Sequence, residues 1–132
     1  PNNWEGFERS CWTYDEKTEQ YYYHFHYRQQ PDLNWRNPEV VKEMFAICDF
    51  WLNQGAAALR LDAINYLVED PDLRDHPIVD SVPEYLRNVY QFNQLPIHTI
   101  NHPENHLLMQ QLRQHIQSHH RALILNQLNL LD

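Results

Sequence analysis

The stretch that most restricts the fold is NPEVVKEMFAICDFWLNQG at 37–55, followed directly by AAALRLD. Asn37 suits an N-cap, because its side-chain oxygen can accept from a first-turn N–H, and Pro38 has no N–H to leave unpaired at the first helical position. Glu39 puts negative charge at the positive end of the helix dipole. Val41, Met44, Phe45, Cys48, Trp51 and Leu52 recur at helical spacing and form one apolar stripe, assigned to the core. Gly55 is the residue expected just past the C-terminus. The apolar run at 57–62 reads as a strand. A second helix is expected over 103–118, opened by Pro103, with Leu107, Leu108, Leu112 and Ile116 as its stripe. It leads into RALIL at 121–125, whose continuous apolarity suits a strand buried on both faces. Strand, helical crossover and strand make a right-handed unit of parallel sheet. In such sheets reacting groups gather at the C-terminal strand ends, here at Asp62 and Gln127.

The decapeptide AAALRLDAIN at 56–65 puts two charges into an apolar strand. Alternate residues of a strand share a face, so Arg60 and Asp62 fall on one side, Leu59 and Leu61 on the other. Such a pair is either an ion pair that holds the strand or half of a site.

Other features bound the function classes. The 132 residues suit one domain and fall short of the roughly 250 typical of a complete (β/α)8 barrel. A net charge of −8 with no long basic stretch argues against a nucleic-acid partner. No run of 18 apolar residues is present, so no membrane segment is expected. PNNWEGFERS is not a signal peptide, and its start without Met suggests a piece of a longer chain. Cys11 and Cys48 match no metal spacing, and Cys48 reads as a buried thiol. His24 and His26, two apart in QYYYHFHYRQQ, have no third ligand at motif spacing, so a packed aromatic surface is expected there. Residues 65–98, broken by Pro71, Pro77, Pro83 and Pro96, read as a long connection with one short helix at 83–91. With only two glycines, turns that need positive φ must be made by other residues.

PNNW, WTYDEKTEQYYYH, QPDLNWRNPEV, FWLNQG, LRLDAINYLVEDPDLRD and NHPENHLLMQQLR together resemble glycoside hydrolase family 13, the α-amylase family, in its α-glucosidase and oligo-1,6-glucosidase branch. The likeness runs along most of residues 1–127 and is weakest between 76 and 100. It implies an α/β fold: a fragment of a (β/α)8 TIM barrel from about strand 4 to strand 5, preceded by the end of an inserted domain. Residues 1–36 would be the tail of that inserted B-type domain and 37–132 a partial catalytic barrel. Within the barrel, 37–54 would be the third helix, 57–62 the fourth strand, 103–118 the fourth helix and 121–127 the fifth strand.

The same resemblance assigns roles. The family is retaining, with one carboxylate as nucleophile and one as acid and then base. Asp62 matches the nucleophile, and Arg60 the arginine that keeps it ionised. Ala63 matches a substrate-binding position at which a small residue other than Val goes with α-1,4 preference. Gln127 stands where the acid/base Glu is expected, and an amide cannot deliver a proton to a leaving oxygen. Glu8-Arg9 replaces a usual Gly-Gly, and Ala58-Leu59 a usual Gly-Phe. The family's third carboxylate and its preceding His are not matched within 1–132; Asp75-His76 has the wrong order and context. The implied activity is hydrolysis of α-1,4-linked glucosides such as maltose or short maltooligosaccharides, with an oligosaccharide as the parent enzyme's substrate and this chain alone inactive. No cofactor and no metal are expected, and the compartment, cytoplasmic or secreted, is left open. Open edges of a two-stranded sheet would invite self-association. Two alternatives stand beside this: a non-catalytic homologue of the amino-acid-transporter heavy-chain type, and a designed or reshuffled family fragment.

Overall fold

The computed structural model describes residues 1–80 and 93–120, with the course and pairing of 123–126. The helix expected at 83–91 and the whole of residue 127 lie outside the described residues. The chain divides into two units, one of residues 1–32 and 69–100, the other of 33–68 and 101–132.

In the second unit, α1 (Pro38–Asn53) begins and ends where its sequence dictates. Asn37 accepts the Glu39 N–H at 3.0 Å, and Pro38 fills the first turn. Past the helix, Gly55 donates to the Leu52 carbonyl at 3.0 Å and takes a φ of 99°, a conformation that costs little only without a Cβ. The expected stripe is narrower than its periodicity suggests. Leu52 is buried and Val41, Met44, Phe45 and Cys48 are half-buried, but Trp51 is 54% exposed. It lies one residue, about 100°, round the helix from Leu52, and its ring meets the edge of Phe50 at 5.2 Å. Cys48 is likewise half-buried rather than enclosed, and that burial pushes its thiol up from the usual range.

A strand, Ala58–Leu61, follows α1 and pairs in parallel with Leu123–Asn126. The helix between them, α2 (Pro103–His119), is one residue longer than expected. Its buried line is Asn105, Leu108, Leu112 and Ile116, while Leu107 is 55% exposed and belongs to the solvent face. Leu52, Leu112 and Ile116 form the core of the unit, with Phe45, Cys48, Leu59, Leu61 and Met109 packed against them. Polar ties join the two helices. His115 and His120 each bring Nε2 to 2.9 Å from Asp49 Oδ1, and Arg36 pairs with Glu104. Burial opposes ionisation of Asp49, but the two imidazole hydrogen bonds hold its carboxyl below the usual range.

The first unit is built from short antiparallel pairs. β1 (Glu5–Gly6) pairs with β2 (Arg9–Ser10), and β3 (Trp12–Asp15) with β4 (Gln20–Tyr23) in the register Tyr14↔Tyr21. Strands of two to four residues need side-chain packing to persist, and aromatics supply it. Trp4 is 1% exposed, stacked on Trp12 at 6.0 Å and edge-on to Tyr23 at 5.7 Å. His24 turns inward, with Nε2 2.8 Å from Thr13 Oγ1, whereas His26 lies against Phe7 at 4.9 Å.

The scarcity of glycine shows in the backbone, where Arg9, Glu19, Ala63, Leu73 and Asn101 all take positive φ. Gly6 is needed for space instead. A Cβ there would stand 2.3 Å from the Phe25 carbonyl oxygen and 2.9 Å from Cys11 Sγ, and that carbonyl already accepts the Phe7 N–H at 3.1 Å. Gly6→Ala is therefore expected to cost about 1–3 kcal/mol through forced backbone movement. Thermal denaturation followed by circular dichroism measures it, and an unchanged midpoint would show that the hairpin yields freely.

Candidate functional site

β5 (Ala58–Leu61) and β6 (Leu123–Asn126) run parallel, pairing Ala58↔Leu123, Leu59↔Ile124, Arg60↔Leu125 and Leu61↔Asn126. The described strands form three separate two-stranded sheets, with no closed barrel among them. β5 is one residue shorter at each end than the expected 57–62. Its alternation is as expected. Leu59 and Leu61 lean on the core, and Arg60 and Asp62 share the exposed side.

Arg60 Nη2 lies 3.4 Å from Asp62 Oδ1, with the two side chains 58% and 68% exposed. A pair this wet contributes under about 1 kcal/mol to folding, so it is not a buried ion pair that holds the strand. Its place matters more. Asp62 is the first residue beyond the C-terminal end of β5, where the chain turns sharply. Ala63 takes the left-handed conformation, φ 50° and ψ 32°, and donates its N–H to Asp62 Oδ1 at 3.0 Å. A 3-10 turn, Ile64–Tyr66, follows and is anchored by buried Tyr66. The Asn101 N–H, donating to the Asn65 carbonyl at 2.9 Å, holds the far side of the turn.

The Ala63 hydrogen bond and the Arg60 ion pair both meet Oδ1, which orients the carboxylate. The strain of a non-glycine residue in this conformation is about 1 kcal/mol or more and tends to be kept where geometry serves a site. The structure thus brings together Arg60, Asp62 and Ala63. Gln127, the remaining expected site residue, lies outside the described residues. The register ends at Leu61↔Asn126, the residues directly before Asp62 and Gln127.

Sequence reasoning passed over a polar cluster in the first unit. Asp70 is 1% exposed and is gripped by Arg74 through Nε at 2.8 Å and Nη2 at 2.8 Å, with His98 Nδ1 3.6 Å away. The Arg74 hydrogen bonds hold the Asp70 carboxyl well below the usual carboxylate range. Asp70 and Arg74 are four apart in a turn and not on a helix, so helical spacing did not mark the pair, and nothing local pointed to His98. Among the described residues no group of three or more His, Cys, Asp or Glu is arranged to hold a metal ion, and no helix is long and apolar enough to cross a membrane.

Comparison with known proteins matches residues 1–128 to the family described as "Alpha amylase, catalytic domain". An α-glucosidase of Pediococcus pentosaceus is 38% identical over 119 residues, 89% of this chain and 20% of that protein. An oligo-1,6-glucosidase of Bacillus cereus is 31% identical over 129 residues, 97% of this chain and 22% of that protein. The crystal structure of the α-glucosyl transfer enzyme XgtA superposes with a TM-score of 0.81 at 34% identity, covering 96% of this chain and 24% of that one. The chain thus spans about a fifth of the length of these curated relatives.

Proposed function

We propose, from the premise that this chain belongs to the α-amylase catalytic-domain family of glycoside hydrolases, that it carries the nucleophile half of a retaining α-glucosidase site. The observation that supports this most directly is the exposed Arg60–Asp62 pair at the C-terminal end of a strand in parallel pairing. Such strand ends are where barrel enzymes of this kind hold their reacting groups. Residues 37–132 are then part of a (β/α)8 barrel, with β5 and β6 as its fourth and fifth strands, and 1–36 are the tail of an inserted domain.

In the proposed reaction an Asp62 carboxylate oxygen attacks the anomeric carbon of an α-glucoside. The glycosidic C–O bond breaks and a glycosyl–Asp62 ester forms, which water then hydrolyses with net retention. Arg60 sets its guanidinium beside the Asp62 carboxylate, and the Ala63 N–H holds Oδ1. Adjacent strands lie about 4.7–4.9 Å apart, close to the roughly 5–5.5 Å that separates the two carboxyl groups of retaining enzymes. By the family resemblance, Gln127 stands at the acid/base position. A glutamine there offers no proton to the departing oxygen, so natural glycosides react poorly in this chain. The parent enzyme's substrate is then an α-1,4-linked glucoside such as maltose, a choice that rests on Ala63.

The test is covalent capture. A ring-fluorinated α-glucosyl fluoride needs no acid assistance to lose fluoride, and its fluorine slows hydrolysis of the ester. Incubated with the chain, it should add one glycosyl group to the peptide that contains Asp62, seen by mass spectrometry, and Asp62→Asn should abolish the label. An unlabelled but folded chain overturns the reading that this chain carries a working nucleophile, and a label on another residue removes Asp62 as nucleophile.

A further inference from the structure

We propose that His76 is an acid-sensitive catch: taking up a proton on its buried ring releases the segment 73–76 from the N-terminal segment 2–4. Five hydrogen bonds lace the two segments. Asn2 Nδ2 donates to the Leu73 carbonyl at 2.9 Å, the Asn3 N–H to Asp75 Oδ1 at 2.9 Å and Asn3 Nδ2 to the His76 carbonyl at 3.0 Å. The His76 N–H donates to Asn3 Oδ1 at 2.7 Å, and Trp4 Nε1–H to the Arg74 carbonyl at 2.7 Å. The His76 ring sits at the centre of this lacing, 2% exposed, between the Trp4 indole and the His98 imidazole at 5.6 Å each. Nε2 is 3.2 Å from Thr99 Oγ1, while Nδ1 is buried and has no hydrogen-bond partner.

The charged groups around that ring give a positive charge there little support. Asp70, the buried carboxylate beside His98, has its oxygens taken by Arg74 and approached by His98. Asp75 spends one oxygen on the Asn3 N–H. His98, stacked nearly parallel at 8°, adds repulsion once it is charged itself. Burial and His98 together push His76 down to about 4, with Asp75 pulling weakly the other way.

In the opened form the ring regains water and an ordinary value of about 6.5. Between those limits the open form binds the proton and the closed form does not, so acid favours opening by up to about tenfold per pH unit. The full span approaches roughly 300-fold, and nothing is gained above about pH 6.5, where both forms are neutral. Asp70 keeps its charge through this window and acts only at lower pH.

The Trp4 indole N–H, which bridges to Arg74, is a direct reporter. Its hydrogen-exchange protection in the intact chain is to be followed by NMR from pH 7 to 4.5 and corrected for intrinsic exchange. The expected result is a fall towards tenfold per pH unit in the wild type, a flat profile in His76→Gln, and unchanged protection of α1 amides. A flat wild-type profile, a fall that persists in His76→Gln, or a fall in step with α1 overturns the proposal. The His76 ring resonances of the wild-type chain give a second measurement that needs no variant: titration near 4 supports the catch, and titration near 6.5 ends it.

Discussion

Where the chain turns over a nitrophenyl α-glucoside, replacing Gln127 with glutamate is expected to raise the rate on maltose by about 10²–10⁴-fold, the usual worth of a positioned general acid, while the aryl glucoside rate moves by less than about tenfold. The asymmetry follows from the leaving group. A sugar alkoxide leaves only if protonated as the C–O bond breaks, whereas a nitrophenolate leaves unaided. The pH profile supplies a second signature. A carboxyl at position 127 must hold its proton to act, so the variant's rate on maltose should decline on the alkaline side, a limb that the glutamine form lacks. Steady-state rates on both substrates across pH decide the matter. Equal gains on both substrates, or no gain on maltose where the aryl glucoside is turned over, would mean that residue 127 does not face the leaving oxygen.

That the site can be argued at all reflects which physical signals are local. The ends of α1 were legible because Asn37, Pro38 and Gly55 act through bonds to residues at most a few positions away. The shared face of Arg60 and Asp62 was legible because strand alternation allows no other arrangement. Parallel pairing of β5 with β6 followed from apolar runs on either side of a helix. Trp51 and Leu107 were misplaced for one reason. Periodicity gives the direction of a helix's apolar face, but the width of that face depends on what packs against it, and both residues lie at its margin. The first unit was the least legible. Its strands are too short for a period to show, and its lacing joins Asn3 to His76 across 73 residues. The left-handed turn at Ala63 carried no glycine to announce it, although the low glycine count implied that some residue would bear such a turn.

The dependence of the site on the core of its unit yields the second large effect. Ile116 is fully enclosed, at 0% exposure, against Leu52 and Leu112. Ile116→Ala removes three carbons from a cluster that cannot collapse freely, because Leu52 is fixed on α1 and Leu112 on the same helix. The expected loss is about 2–5 kcal/mol, a large part of the stability of a domain of this size. Leu107→Ala, on the same helix but exposed, should fall within about 0.5 kcal/mol of wild type. Urea denaturation of both variants measures the contrast. Leu59 and Leu61 pack against this same cluster and set the strand that carries Arg60 and Asp62. Capture of the fluorinated glucosyl group at Asp62 should therefore weaken in Ile116→Ala at temperatures where Leu107→Ala labels normally. If the two variants unfold at the same urea concentration, the contacts among Leu52, Leu112 and Ile116 do not hold this unit together, and the support attributed to β5 is lost with them.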